Sequence, residues 1–243
     1  MNENSDISRI GAGPLGVPAA EYAPGLLMPR APSLAEQVAD AIVDGIAMGA
    51  LQPGQRIIEV ELAKQLQVSR VPVRESLKML EAQGILETSP HRGARVAAFS
   101  ETRIDQICAA RVALERLAIR DAIVTYRANP ARIGQLDAII GRMEAAADRL
   151  DWVAVSKADL AFHREICAAS GNGVVTTLWE TLARHVMIVF GREIRDERDA
   201  ARLGPQHRRL RDMLLEASLD ELDAEVERHI LRLRGRGAAE ASS

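Results

Sequence analysis

The chain has 243 residues, of which 47% are hydrophobic, 27% charged and only 3% aromatic, and its net charge is −3. That balance excludes disordered, fibrous and disulfide-scaffold classes, favours helices over aromatic-rich sandwiches or barrels, and gives length enough for two domains. Cys108 and Cys167 stand far apart without CxxC spacing or a secretory signal, and no apolar run reaches the roughly 20 residues of a bilayer crossing, so a reduced, cytoplasmic chain with no membrane span is expected.

Residues 1–32 are punctuated by Gly11, Gly13, Pro14, Gly16, Pro18, Pro24, Gly25, Pro29 and Pro32 with no helical or strand period, and read as a disordered arm. Ser33 then opens a helical stripe of Leu34, Val38, Ile42 and Ile46, with Glu36 at the third helical position. Gly49 ends it, Pro53-Gly54 turns the chain, and residues 58–66 predict a second helix with Leu62, Ala63 and Leu66 inward. After a break at Gln67-Val68, Ser69 caps a third helix that stops at Gly84. Two β-prone pieces, 85–88 and 94–98, flank Ser-Pro-His-Arg-Gly and read as a hairpin. The fold class is therefore mainly α, with a winged helix-turn-helix over 33–98 ahead of an all-helical bundle over 101–234 and a flexible tail over 235–243.

A generic helical mini-domain is the bland alternative for 33–98. Against it stand the short turn between helices two and three and the placement of Arg70 and Arg74 four apart on one exposed helix face. From Lys64 to Arg95 six basic residues oppose three acidic ones, although the whole segment 33–98 has seven basic against eight acidic. The basic surface is local, so non-specific affinity for DNA is expected to be modest and salt dependent.

The runs Glu59-Val-Glu-Leu-Ala-Lys-Gln-Leu, Val68-Ser-Arg-Val-Pro-Val-Arg-Glu-Ser-Leu-Lys-Met-Leu and Pro90-His-Arg-Gly-Ala-Arg-Val closely resemble the DNA-binding domain of GntR-family transcription regulators. The resemblance implies that Ser69, Arg70, Pro72 and Arg74 begin a recognition helix in the major groove, with Arg92 and Gly93 of the wing on the backbone or minor groove. An arginine fork can bond guanine O6 and N7 together, and a glycine lets the wing turn tightly beside the duplex. The expected partner is double-stranded operator DNA with two half-sites, bound by a homodimer whose helical domain supplies most of the contact.

Stripes over 104–126, 133–150, 153–169, 174–194, 205–217 and 219–233 predict six further helices. Asp159 and His163 lie one turn apart on one helix face, a spacing that lets both bind one metal ion. His207 and His229 fall on two helices joined by a short loop, which can bring both imidazoles to the same point. One Asp and three His suit zinc, nickel, manganese or iron, with positions left for a ligand. His91 and His185 read as ordinary core or surface residues, and Cys167 as a small packed side chain.

The segment Asp159-Leu-Ala-Phe-His163 with His207 and His229 resembles the FCD effector domain of the FadR subfamily in its six-helix, VanR-like form. That resemblance implies the four-residue metal set, and it implies that Arg111 of Arg111-Val-Ala-Leu-Glu115 binds an effector carboxylate, with a salt bridge to Glu115 as the purely structural alternative. The function expected is a transcription regulator, a repressor controlled by a small organic acid beside the metal. A metal-dependent enzyme built on the Asp/His cluster is the rival, though no general base or phosphate-binding glycine loop accompanies it. A sensor of the ion itself is the third reading.

Overall fold

The computed structural model describes residues 32–89, 93–196 and 202–232. The arm expected before Ser33 falls outside the described residues apart from Pro32, as do the tail over 235–243 and Arg92 of the wing.

Helix α1 (Leu34–Ala47) buries Val38, Ala39, Ile42, Val43 and Ile46, the apolar face that its sequence period provides. Helices α2 (Glu59–Gln65) and α3 (Arg70–Ala82) follow. The short turn between them is set by the end of α2. The amide of Val68 donates to the Ala63 carbonyl at 3.0 Å and that of Gln67 to the Lys64 carbonyl at 3.3 Å, while Gln67 takes φ 55°. This is a Schellman closure carried by a residue other than glycine.

The sheet has three strands where two were expected. Strands β2 (Leu86–Ser89) and β3 (Gly93–Val96) form the antiparallel hairpin, with Leu86 opposite Val96 and Thr88 opposite Ala94. Strand β1 (Arg56–Ile57) pairs with the other edge of β3, giving the order β1-β3-β2. Two residues are too few to show a period, which is why β1 was illegible. Gly93 takes φ 72°, a conformation that any side chain would strain.

Among the described residues six further helices follow: α4 (Glu101–Ala128), α5 (Ile133–Asp148), α6 (Trp152–Ala169), α7 (Gly173–Asp196), α8 (Leu203–Glu216) and α9 (Leu219–Leu231). A single 3-10 turn, Pro130–Arg132, links α4 to α5. Helix α4 starts three residues earlier than its stripe suggests because the Ser100 side chain accepts the Arg103 amide and caps it. Among the described residues no helix is long and apolar enough to cross a membrane.

Among the described residues the two largest of three apolar clusters hold most of the core. The larger joins Val112, Ile119, Tyr126, Leu136, Met143, Phe162, Phe190, Leu210 and Val226 inside the helical bundle. The smaller collects Ile42, Val73, Leu80, Ile85 and Val96 of the helix-turn-helix, together with Met187 and Ile188 from α7. Helix α7 thus completes the core of the N-terminal elements, and Leu34 onward is one compact unit. Lys157 to Asp44 at 2.5 Å and Arg184 to Asp40 at 2.9 Å bridge the same seam at its exposed rim.

The seam is closest at Gly191, where a Cβ would lie 3.0 Å from the Ala47 Cβ and 3.5 Å from the Ser156 hydroxyl. Gly191→Val should therefore push α1 from α7 and lower stability by about 1–3 kcal/mol, the usual cost of overpacking, as read by thermal unfolding. An unchanged melting temperature would show the seam to be loose.

Candidate functional site

Helix α6 places Asp159 and His163 one turn apart, α8 contributes His207 and α9 contributes His229. The four converge: their ligand atoms all lie within 4.8 Å of one another, and every one of the side chains is buried. The imidazole centroids are 4.7 Å (His207 to His229), 5.2 Å (His163 to His229) and 5.8 Å (His163 to His207) apart, with the Phe162 ring edge-on to both His163 and His207. Gly204 lets the first turn of α8, which carries His207, approach α5, since a side chain there would fall inside the Glu144 carboxylate.

The proton arrangement follows from the partners. His207 Nδ1 donates to the Leu203 carbonyl at 2.8 Å, so in the neutral ring Nε2 carries a lone pair, and that lone pair faces Asp159 Oδ1 at 3.0 Å. Two acceptors at that distance repel unless a proton or a metal cation stands between them. His163 repeats the pattern. Its Nδ1 lies 2.7 Å from Glu115 Oε2, in a contact bent away from ideal hydrogen-bond direction, and its Nε2 is buried without a hydrogen-bond partner, 3.9 Å from Asp159 Oδ1. Burial pushes His229 well below the usual imidazole range, and the facing His207 and His163 push it further. Burial likewise lowers His163 against the opposing pull of Glu115. Three buried imidazoles converging beside a carboxylate are the donor set of a divalent transition metal, and the residues present fit such an ion.

Arg111 makes the salt bridge to Glu115 that its spacing allows. Its Nε donates to Glu115 Oε1 at 2.7 Å, its Nη2 lies 3.6 Å from Asp159 Oδ2, and its guanidinium stacks 4.3 Å over the Phe190 ring. Burial acts to lower Arg111, but Glu115 and Asp159 outweigh it and hold the group above its ordinary value. An incoming carboxylate would compete with Asp159 for the Nη2 side of the fork.

Glu115 and Trp179 complete this network. Glu115 Oε1 accepts a second bond, from Trp179 Nε1 at 3.2 Å. Burial alone would raise its carboxyl, yet His163 and Arg111 on either side bring it down to about 2. The Arg-x-x-x-Glu spacing of 111 and 115 signalled the first contact. Nothing local signalled Trp179, which is 64 residues away on α7.

At the other end of the molecule Ser69 is exposed, and Arg70, Arg74 and Gly93 are exposed around a cleft of about 460 Å³ between α3 and the wing. Two details differ from expectation. Ser69 holds the N-cap position with an extended backbone, but its side chain makes no capping bond. Pro72, expected on the groove face, is buried: as the third residue of α3 it falls beside Val73 on the inward side, where its missing N–H costs nothing in the first helical turn. Sequence reasoning also missed Glu59, whose Oε2 accepts from Arg74 Nη2 at 3.3 Å and lies 3.8 Å from Arg70 Nη2.

Known proteins carry the same two halves. The model of bacterial regulatory proteins of the gntR family matches residues 20–96, and that of the FCD domain matches 106–232. The chain belongs to the GntR family and carries an FCD domain. It is 34% identical over 159 residues to a "Probable D-xylose utilization operon transcriptional repressor" of Paenarthrobacter nicotinovorans, covering 65% of this chain and 69% of the relative. It is 27% identical over 150 residues to the HTH-type transcriptional regulator McbR of Escherichia coli K12, covering 62% and 67%. Among solved structures, E. coli McbR superposes with a TM-score of 0.63 at 24% identity, over 85% of this chain and 96% of that one, and a GntR regulator from Rhodococcus sp. RHA1 gives 0.63 at 20%, over 83% and 98%. These relatives are DNA-binding transcription regulators rather than enzymes, which removes the metalloenzyme reading, and the protein is a transcription regulator of this class.

Helix α9, which carries His229, begins at a capping box in which the Ser218 side chain and the Glu221 amide and carboxylate satisfy one another. Ser218→Ala should cost about 0.5–2 kcal/mol in thermal unfolding while leaving His229, three turns further on, in place. A stability equal to the parent's would show the box to be ornamental.

Proposed function

We propose that this GntR-family protein is a repressor whose operator affinity is set by a divalent ion and a small carboxylate held together in its FCD domain. The observation that carries the reading is the convergence of the Asp159, His163, His207 and His229 ligand atoms within 4.8 Å of one another in a buried cluster, with His163 Nε2 left without a hydrogen-bond partner. Asp159, His163, His207 and His229 would hold zinc, nickel, manganese or iron, and the ion would supply an electrophilic centre for an anionic oxygen donor. Glu115 acts as the outer partner that orients His163, and the Leu203 carbonyl does the same for His207. Arg111 grips the effector carboxylate from the opposite side to the ion.

The operator end of the reading rests on Ser69, Arg70, Arg74 and Gly93, with Arg92 contributing from the wing. Glu59 preorders both recognition arginines in the free protein. The likeness to a repressor of a sugar operon supports repression as the sense of control. A homodimer on a two-fold operator, working in the cytoplasm where the DNA is, accords with four large apolar side chains left exposed on two helices: Leu117 and Val124 of α4, Val174 and Leu178 of α7.

Removing one recognition fork tests the DNA half. Arg74→Ala should weaken operator binding by about 1–3 kcal/mol and relax base preference at one position per half-site, measured by fluorescence anisotropy across operator variants. Full affinity and selectivity in the folded variant would remove Arg74 from the interface.

The metal half is tested by His207→Ala and His229→Ala. Each should lower both the metal content of the purified protein and its melting temperature, because an ion that binds only the folded state stabilises it by mass action. Elemental analysis showing full occupancy in both variants would overturn the site.

A further inference from the structure

The outward face of α3 carries a group that its two arginines do not account for. Val71 is 62% exposed, and among the described residues it is the one large apolar side chain of α3 left in water. The other exposed residues from Arg70 to Lys78 are all charged: Arg70, Arg74, Glu75 and Lys78. At 3.6 residues per turn Val71 falls between Lys78 and Glu75 around the helix, about 60° from Arg74, so it shares the arginines' face. The core takes Pro72, Val73, Ser76 and Leu77 instead. A β-branched residue is also a poorer helix former than alanine or a straight-chain residue, so neither packing nor propensity calls for valine at this position.

The place of Val71 in the fold does call for it. It is the second residue of α3, and the N-terminal residues of a recognition helix are the ones that reach base edges. Val60 of α2 is 56% exposed, but the first helix of a helix-turn-helix crosses the backbone, where no base methyl group is presented. A second copy of the α3 face is a poor partner, since Arg70, Arg74 and Lys78 would meet their like, whereas a polyanion is attracted by them. In the major groove, the bases mark themselves by hydrogen-bond donors and acceptors, with one apolar exception, the C5-methyl group of thymine.

We infer that Val71 is a specificity-determining residue that reads one thymine in each operator half-site, packing its two methyl groups on the thymine methyl while Arg70 and Arg74 bond neighbouring bases. The inference rests on the operator reading above. Cytosine at the same step would present its amino donor to a side chain with no acceptor, so valine selects against it as well as for thymine. Glu59 leaves this contact free, because it holds Arg70 and Arg74 from the side of α2.

The experiment starts from a randomised pool of duplexes, from which the whole wild-type chain selects a consensus. The consensus duplex is then made with deoxyuridine in place of thymidine at one position at a time, which removes a methyl group and nothing else. By fluorescence anisotropy the wild type should lose affinity by about fourfold at one thymine per half-site, the worth of one carbon group withdrawn from water. Val71→Ser should bind the thymidine and deoxyuridine duplexes alike at that position and keep its response at the others, with thermal unfolding equal to the parent's. Should the serine variant not fold, Val71→Ala, the better helix former, takes its place with the same two outcomes. Wild-type protein indifferent to the methyl group at every position, or a variant as sensitive as the wild type at all of them, overturns the inference and leaves the operator reading standing. So does a variant with unchanged DNA binding that sediments as a smaller species than the parent, which would make Val71 a contact between copies. Wild-type protein that enriches no consensus overturns the operator reading and the inference with it.

Discussion

The Glu115 carboxylate is the tie on which the rest of the bundle's centre depends. One oxygen takes Arg111 from its own helix and Trp179 from α7, and the other meets His163 of α6, so a single buried side chain sets α4, α6 and α7 against one another. Both buried carboxylates of this network, Glu115 and Asp159, face the Arg111 guanidinium. A half-satisfied buried network is worse than an apolar core, since low dielectric strengthens the bonds made and raises the cost of those missing. Within this network His163 Nε2 is left without a hydrogen-bond partner, 3.9 Å from Asp159 Oδ1.

Helix α7 then carries the arrangement to the other end of the molecule. Its first half supplies Trp179 to the network. Its middle supplies Met187 and Ile188 to the core of the helix-turn-helix, and Phe190 back under the Arg111 guanidinium. Packed interiors do not deform continuously, so a change in how Arg111 or Glu115 is paired has few ways to be absorbed along one rigid helix. Gly191 against Ala47 makes the seam tight enough that a small rotation of α7 would be felt by α1. Helix α1 packs in turn on α3, whose Arg70 and Arg74 face outward beside the wing.

What the residues foretold and what they did not divide by physical cause. The helices were legible because their apolar periods are long, and the convergence of Asp159, His163, His207 and His229 was legible because the first two share one helix face while the last two fall on consecutive helices. Strand β1 was not legible, since a two-residue pairing has no period and depends on β3 being in place. Pro72 was misjudged because resemblance places a residue in a motif without saying which way its ring faces; the burial of its neighbour Val73 settles that only in three dimensions. Arg111 was recognised as inward-facing, but its second partner, Asp159, lies 48 positions away on another helix, and contacts of that separation leave no local trace. Glu59 escaped notice for the same reason: it reaches Arg74 across the turn between two helices.

The cost of the buried cluster is itself an argument about its purpose. A bundle with Phe162, Phe190, Leu210 and Val226 around its centre has the apolar material to fill that centre with more of the same, and replacing buried ionic groups by well-packed apolar ones is often neutral or stabilising. This chain instead encloses a guanidinium, two carboxylates and three imidazoles, four of which bring ligand atoms within 4.8 Å of one another. Stability alone does not call for that choice. Control of DNA binding needs a ligand that favours one arrangement of the molecule over another, and the shift it produces is limited to its differential affinity for the two. A sealed centre of buried charge would make that difference large, since an unpaired charge costs most where water is excluded.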